Sequence, residues 1–135
     1  MSQLAKPGLP GFVSQTLERY GANPQALLQI LVGVQHAYHH IPDAAVSALA
    51  EGLDLAPVRV QGLVSFHSFL SAKFQGDFVI HLSDCITDQM QGGRDLSARL
   101  CERLGVRPGE TRKDGLVSVH RPSCTGMCDQ GPSAL

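Results

Sequence analysis

Between Leu27 and Tyr38 the apolar positions recur every three or four residues. Leu27, Leu28, Leu31, Val34 and Tyr38 fall on one face of a helix. Asn23 is placed to cap it and Pro24 to fill its first position. His40-Ile41-Pro42 ends it, because the residue before a proline is pushed out of the helical region. Asp43 caps a second helix with Val46, Leu49 and Ala50 inward and Gly52 as its stop. Pro57 opens a third whose apolar side is Val60, Leu63, Val64 and Phe66. Upstream, Phe12 to Tyr20 makes one short helix closed by Gly21, behind a loose leader over residues 1–11 broken by Pro7, Gly8, Pro10 and Gly11. Residues 1–22 thus read as leader and short helix, and 23–72 as a small helical bundle.

After Leu70 the period changes. Phe78-Val79-Ile80-His81-Leu82 is a short β-branched apolar run, a buried strand. Gly92 to Leu104 follows as an amphipathic helix with Leu96, Leu100 and Leu104 on its inner face and Gly105 as its stop. Val106 to Lys113 is a connector, and the turn pair Asp114-Gly115 introduces a second strand, Leu116 to His120. Strand, helix, strand is a βαβ unit, with parallel strands and a right-handed crossover. Two strands do not stand alone, and Gly131 to Leu135 stops as a new apolar stretch begins. The expectation is an α+β chain, a helical bundle followed over residues 73–135 by a βαβ core that is incomplete, its remaining strands lying beyond Leu135.

Composition narrows the classes of function. With 11 Lys+Arg against 12 Asp+Glu the net charge is -1, and aromatic residues make up 5%. Neither a nucleic-acid surface nor an anionic membrane is indicated. The amino terminus lacks the apolar segment of a secretory signal, and Leu27 to Val34, interrupted by Gln29, is too short to span a membrane. A cytoplasmic location is expected, where cysteines serve more often as metal ligands or redox groups than as staples.

There are four cysteines. Cys85 lies just beyond the first strand, and Cys124 and Cys128 just beyond the second. Parallel strands point their carboxyl ends the same way, so the two loops share the sheet edge where ligands of open α/β sheets sit. Thiolates gathered there repel one another unless a metal neutralises them. Thr125-Gly126 and Gly92-Gly93 allow backbone N–H groups to approach sulfur, and the helix beginning near Gly92 aims its positive end at the same edge.

At these residues the chain resembles the thioredoxin-like [2Fe-2S] ferredoxin family, the 24 kDa subunit type of NADH dehydrogenase. That family carries a Cys, four residues, a second Cys, and much later Cys-x-Gly-x-Cys or a close variant. Here Cys85-Ile86-Thr87-Asp88-Gln89-Met90 stands at the first pair and Cys124-Thr125-Gly126-Met127-Cys128 at the second. Gln35-His36-x-Tyr38-x-His40-Ile41-Pro42 and Val64-Ser65-Phe66-His67-Ser68-Phe69 look similar too. Asp129-Gln130-Gly131-Pro132 and Pro108-Gly109-Glu110-Thr111 look most like the amino-terminal domain of the diaphorase subunit of NAD-reducing hydrogenases, with the related subunit of NAD-dependent formate dehydrogenases next. The resemblance implies a thioredoxin-like fold and a [2Fe-2S] cluster held by Cys85, Cys124 and Cys128. It further implies electron transfer within an NAD-linked complex, with FMN and NAD on a partner domain or subunit beside other redox subunits. No phosphate loop or nucleophile elbow lies in this chain, so it is not expected to bind NAD or flavin itself, and the resemblance implies a part of an NAD-dependent complex that is not catalytic on its own.

One departure from the pattern bears on the ligands. Met90 stands where the family has its second cysteine, and a neutral thioether replaces neither the charge nor the bond of a thiolate. Three thiols remain for a cluster that takes four. Asp84 and Asp88 are the nearby oxygen donors. Cys101 lies on the following helix, about ten residues and roughly 15 Å further on, and reads as core. Two alternatives stand beside the cluster. One is a cluster-free docking module in the same kind of complex, and the other is a zinc site of the three cysteines closed by His120. His36 and His40, four residues apart, read as surface or capping histidines, and His67, Phe66 and Phe69 as packing residues.

Overall fold

The computed structural model describes residues 8–135. The chain divides into two compact units, Met1–Phe74 and Gln75–Leu135, and each is described by itself. Of the expected leader, residues 1–7 lie outside the described residues.

The first unit is helical: α1 Leu9–Arg19, a 3₁₀ turn Pro24–Ala26, α2 Leu27–Tyr38, α3 Asp43–Gly52 and α4 Pro57–Phe66. α1 packs on α2 and α3, and α4 on α2 and α3. Ile30, Leu31, Val34, Ile41, Leu49 and Val60 are fully enclosed between them. Burial of that apolar surface, about 1.5–3 kcal/mol for each large side chain, is the main force holding the bundle. Gln35 secures its far end, donating to the Phe69 carbonyl and accepting from the Ser71 N–H, while the Ile41 N–H donates to Ser71 O at 2.8 Å.

Several sequence expectations are corrected in this unit. α1 begins at Leu9, inside the expected leader, because Pro10 fits the first turn where no amide partner is needed. Asn23 does cap Pro24, its side chain accepting from the Gln25 N–H, but what it starts is the 3₁₀ turn. α2 stops at Tyr38, where His39 turns left-handed at φ 63°. Asp43 is not a cap: Pro42 holds that position, and Asp43 is the first helical residue. Phe66 and Phe69 are not core, being 82% and 43% exposed. Val60 and Val64, four apart, already fill the inner face of α4, and Phe66 falls round the helix from them.

The second unit holds β1 Phe78–His81, α5 Ile86–Met90, α6 Gly93–Leu104, β2 Glu110–Thr111 and β3 Val117–His120. β1 and β3 are parallel, as the βαβ reading requires, with Phe78 opposite Val117 and His81 opposite His120. The sheet has three strands in the order β1-β3-β2. β2 lies in the expected connector and pairs antiparallel to β3, Glu110 opposite Val119. On the other side of β1, Leu82 bridges Ala134 antiparallel, and His81 and Leu135 exchange both backbone hydrogen bonds at 2.9 Å. Val119, Leu82, Val106 and Cys101 form the core, backed by Ile80, Leu100 and Leu104. Cys101 is therefore packing, as expected, whereas Leu96 is exposed and Ser97 takes the inward place.

Candidate metal centre

The loop after β1 is zipped to the loops after β3. Leu82 N–H donates to His120 O at 2.8 Å, Ser83 N–H to Ser133 O at 3.1 Å and Asp84 N–H to Pro122 O at 3.0 Å. This pairing carries Cys85 toward Cys124 and Cys128. Cys85 is also the N-cap of α5, and the Asp88 N–H reaches its Sγ at 3.5 Å.

Cys128 sits between the other two thiols. Its Sγ is 3.3 Å from Cys124 Sγ and 3.9 Å from Cys85 Sγ. Gly126, at φ 85°, turns its N–H onto Cys124 Sγ at 3.2 Å. A side chain at that left-handed position would cost roughly 1 kcal/mol or more. Hydrogen bonding to the Cys124 and Cys85 sulfurs, with some burial, pushes the Cys128 thiol up to about 11. Left alone at neutral pH it stays protonated. Deprotonating it takes a cation, which is what a bound metal supplies.

The fourth group in contact is a carboxylate. Asp88 is fully buried. Its Oδ2 accepts from Cys85 Sγ at 2.8 Å and from the Ser83 hydroxyl, and its Oδ1 accepts from the Ser133 N–H at 3.2 Å. The Cys85 and Ser83 bonds hold it ionised, below the ordinary carboxylate value, against the opposing effect of burial. Thr125 Oγ1 lies 2.6 Å from Ser133 Oγ, extending the network to the second cysteine loop. Gly131 completes the cradle, since a Cβ there would collide with Asp88 Oδ1.

Cys85, Cys124 and Cys128 thus come together. Met90 does not join them, for it ends α5 and is 82% exposed. Asp84 is also engaged elsewhere, 3.4 Å from Arg121 and accepting from the Gln89 amide at 3.1 Å. His120 Nε2 lies 3.2 Å from Gln75 Nε2, and its ring stacks at 5.6 Å on that of His81. In the helical unit, His40 Nδ1 contacts Tyr38 O, and the His39 and His40 rings lie against Phe74. The His67 ring lies edge-on to Phe66. Among the described residues, no group of three or more His, Cys, Asp and Glu side chains is placed to hold a metal ion.

A profile of the thioredoxin-like [2Fe-2S] ferredoxin family matches residues 13–135. The chain belongs to this family. Among its relatives, subunit alpha of the NAD-reducing hydrogenase HoxS of Cupriavidus necator is 34% identical over 123 residues, which is 91% of this chain and 20% of that one. NADH-quinone oxidoreductase subunit 2 of Thermus thermophilus is 28% identical over 123 residues, 90% of this chain and 68% of that subunit. A crystal structure of an NAD+-reducing [NiFe]-hydrogenase in the H2-reduced state superposes with a TM-score of 0.63 at 27% identity, over 82% of this chain and 18% of that one. The chain therefore spans about a fifth of the hydrogenase subunits that it matches. For a ferredoxin of this family, three thiols and backbone N–H groups aimed at sulfur are in place. The set departs from four cysteines at Met90.

Proposed function

We propose that this chain is an electron-transfer domain of an NAD(H)-linked oxidoreductase, of the NAD-reducing hydrogenase type or the related NADH and formate dehydrogenases, and that it works in the cytoplasm. Its partners are a flavin- and NAD-binding domain or subunit and further redox subunits. The observation that carries the reading is the meeting of Cys85, Cys124 and Cys128 at the ends of two parallel strands, with Cys128 Sγ 3.3 and 3.9 Å from the other two sulfurs. Cys85, Cys124 and Cys128 hold the [2Fe-2S] cluster, which accepts and passes on single electrons when bound. The chain's own work is to ligate it and to set its potential through the Gly126 and Asp88 N–H groups on sulfur. No helix among the described residues is long and apolar enough to cross a membrane.

Iron, zinc and acid-labile sulfide, measured anaerobically, test this. About two irons and two sulfides per chain are expected, with Cys124→Ser and Cys128→Ser each abolishing the iron–sulfur absorption. Full spectra in both variants would remove these residues as ligands. A folded protein with neither iron nor sulfide would leave the cluster-free docking module as the function.

A further inference from the structure

Two of the thiols at the site touch. Cys124 and Cys128 Sγ are 3.3 Å apart, closer than Cys128 is to Cys85 at 3.9 Å. The short loop between them makes the contact. Gly126, left-handed at φ 85°, folds it back so that residues four apart face each other, and its N–H lies on Cys124 Sγ. Exposure separates the two sulfurs: Cys124 is open to solvent and Cys128 is half-buried. Cys85 is engaged elsewhere, its Sγ donating to Asp88 Oδ2 at 2.8 Å. Cys101 is packed in the core of the same unit. An exposed thiol with a second thiol in contact is the arrangement of thiol–disulfide exchange, in which the first sulfur takes up the reagent and the second resolves it.

We propose that Cys124 and Cys128 are a reversible redox pair, closed in the metal-free chain by a low-molecular-weight disulfide of the glutathione class. The Cys124 sulfur attacks one sulfur of oxidised glutathione, and the glutathione released carries away the Cys124 proton. Cys128 then attacks the Cys124 sulfur of the mixed disulfide, and its proton leaves with the second glutathione. Two cysteine thiols are oxidised to one disulfide, and one glutathione disulfide is reduced to two thiols. A disulfide closing so short a loop restrains the unfolded chain little, and an exposed one is readily reduced again. The pair goes beyond the electron-transfer reading and does not depend on it. Where the same sulfurs are the ligands of that reading, disulfide and cluster exclude each other, because the closed pair withholds two of the three thiolates.

The test takes the whole chain, metal-free and reduced, and exposes it anaerobically to oxidised glutathione at mildly alkaline pH. Free thiols are then blocked with iodoacetamide in denaturant and the protein is cut with trypsin. Cys124 and Cys128 leave together on the peptide that begins at Asp114, with Cys85 and Cys101 on two others. The expected result is the loss of two of the four thiols. The Asp114 peptide should be lighter by two hydrogens and unalkylated, and the other two peptides alkylated. Cys128→Ser is expected to stop at the mixed disulfide, with glutathione held on Cys124, and dithiothreitol to restore every thiol of the wild type. A wild type that keeps all its thiols, holds glutathione on Cys124 without closing, or joins Cys85 to Cys128 overturns the pair. Iron and sulfide added to the oxidised chain separate the two readings. Uptake only after dithiothreitol is expected, whereas a full cluster on a chain still carrying the disulfide removes Cys124 and Cys128 as ligands and leaves the redox pair standing.

Discussion

Single residues at the site divide into those that the sequence announces and those that it conceals. Cys85, Cys124 and Cys128 are legible because sulfur is rare and because strand ends gather loops. Asp88 is named from sequence only beside Asp84 as a nearby oxygen donor, and its burial is concealed, since one aspartate between Thr87 and Gln89 looks like any exposed helical carboxylate. Its burial depends on Ser133, 45 positions away, which no local pattern reports. One signal was available: Ser83 and Asp88 stand at the same five-residue step as Cys85 and Met90. Gly131 belongs to the concealed group as well. Gly131→Ala would press a methyl group against an Asp88 oxygen that Ser133 holds in place, and against Gln91 Oε1 at 3.1 Å. A loss of about 1–3 kcal/mol is expected from such overpacking. Urea denaturation of the metal-free protein checks it, and an unchanged midpoint would show that the carboxylate can move aside.

Elements are legible where a strong period meets clear stops. α2, α3, α4, α6 and the parallel pair β1 and β3 all follow from spacing, glycine and proline. β2 does not: Glu110–Thr111 is two residues long with no apolar alternation, and it is a strand only because β3 offers it partners. The inner faces of helices are less legible than the helices. α4 buries Val60 and Val64 and leaves Phe66 outside, although phenylalanine is the larger apolar residue. These two outcomes predict opposite effects of truncation. Leu49→Ala, in the centre of α3, should cost about 2–5 kcal/mol. Phe66→Ala should stay within about 0.5 kcal/mol, as exposed substitutions do. Chemical denaturation of both variants measures the contrast, and a large loss at Phe66 would mean that its face is covered.

At the scale of the whole molecule the two units are held by different means. The helical unit encloses a continuous apolar core from Val13 to Leu70, whereas the second relies on five buried apolar residues, Leu82, Cys101, Val106, Val117 and Val119, and on buried polar groups. The metal-free protein is therefore expected to melt in two steps, with Gln75–Leu135 first; a single step by calorimetry would contradict this. The lower step should depend on pH. Burial lowers His81 and His120 below the ordinary 6.5, and the charge of His120 lowers His81 further. Between those lowered values and 6.5 the unfolded chain binds more protons, so stability rises with pH across that interval and is complete above it. His120→Gln should flatten the rise, as melting midpoints across the interval would show. The bond between Asp88 and Ser133 has a last consequence, one of timing. A ribosome has made Cys85 and Asp88 long before Ser133, and the thiols meet only after β3 has paired with β1. The cradle cannot exist on the nascent chain while that pairing is missing, so the site forms late, as a shape rather than as a stretch of sequence.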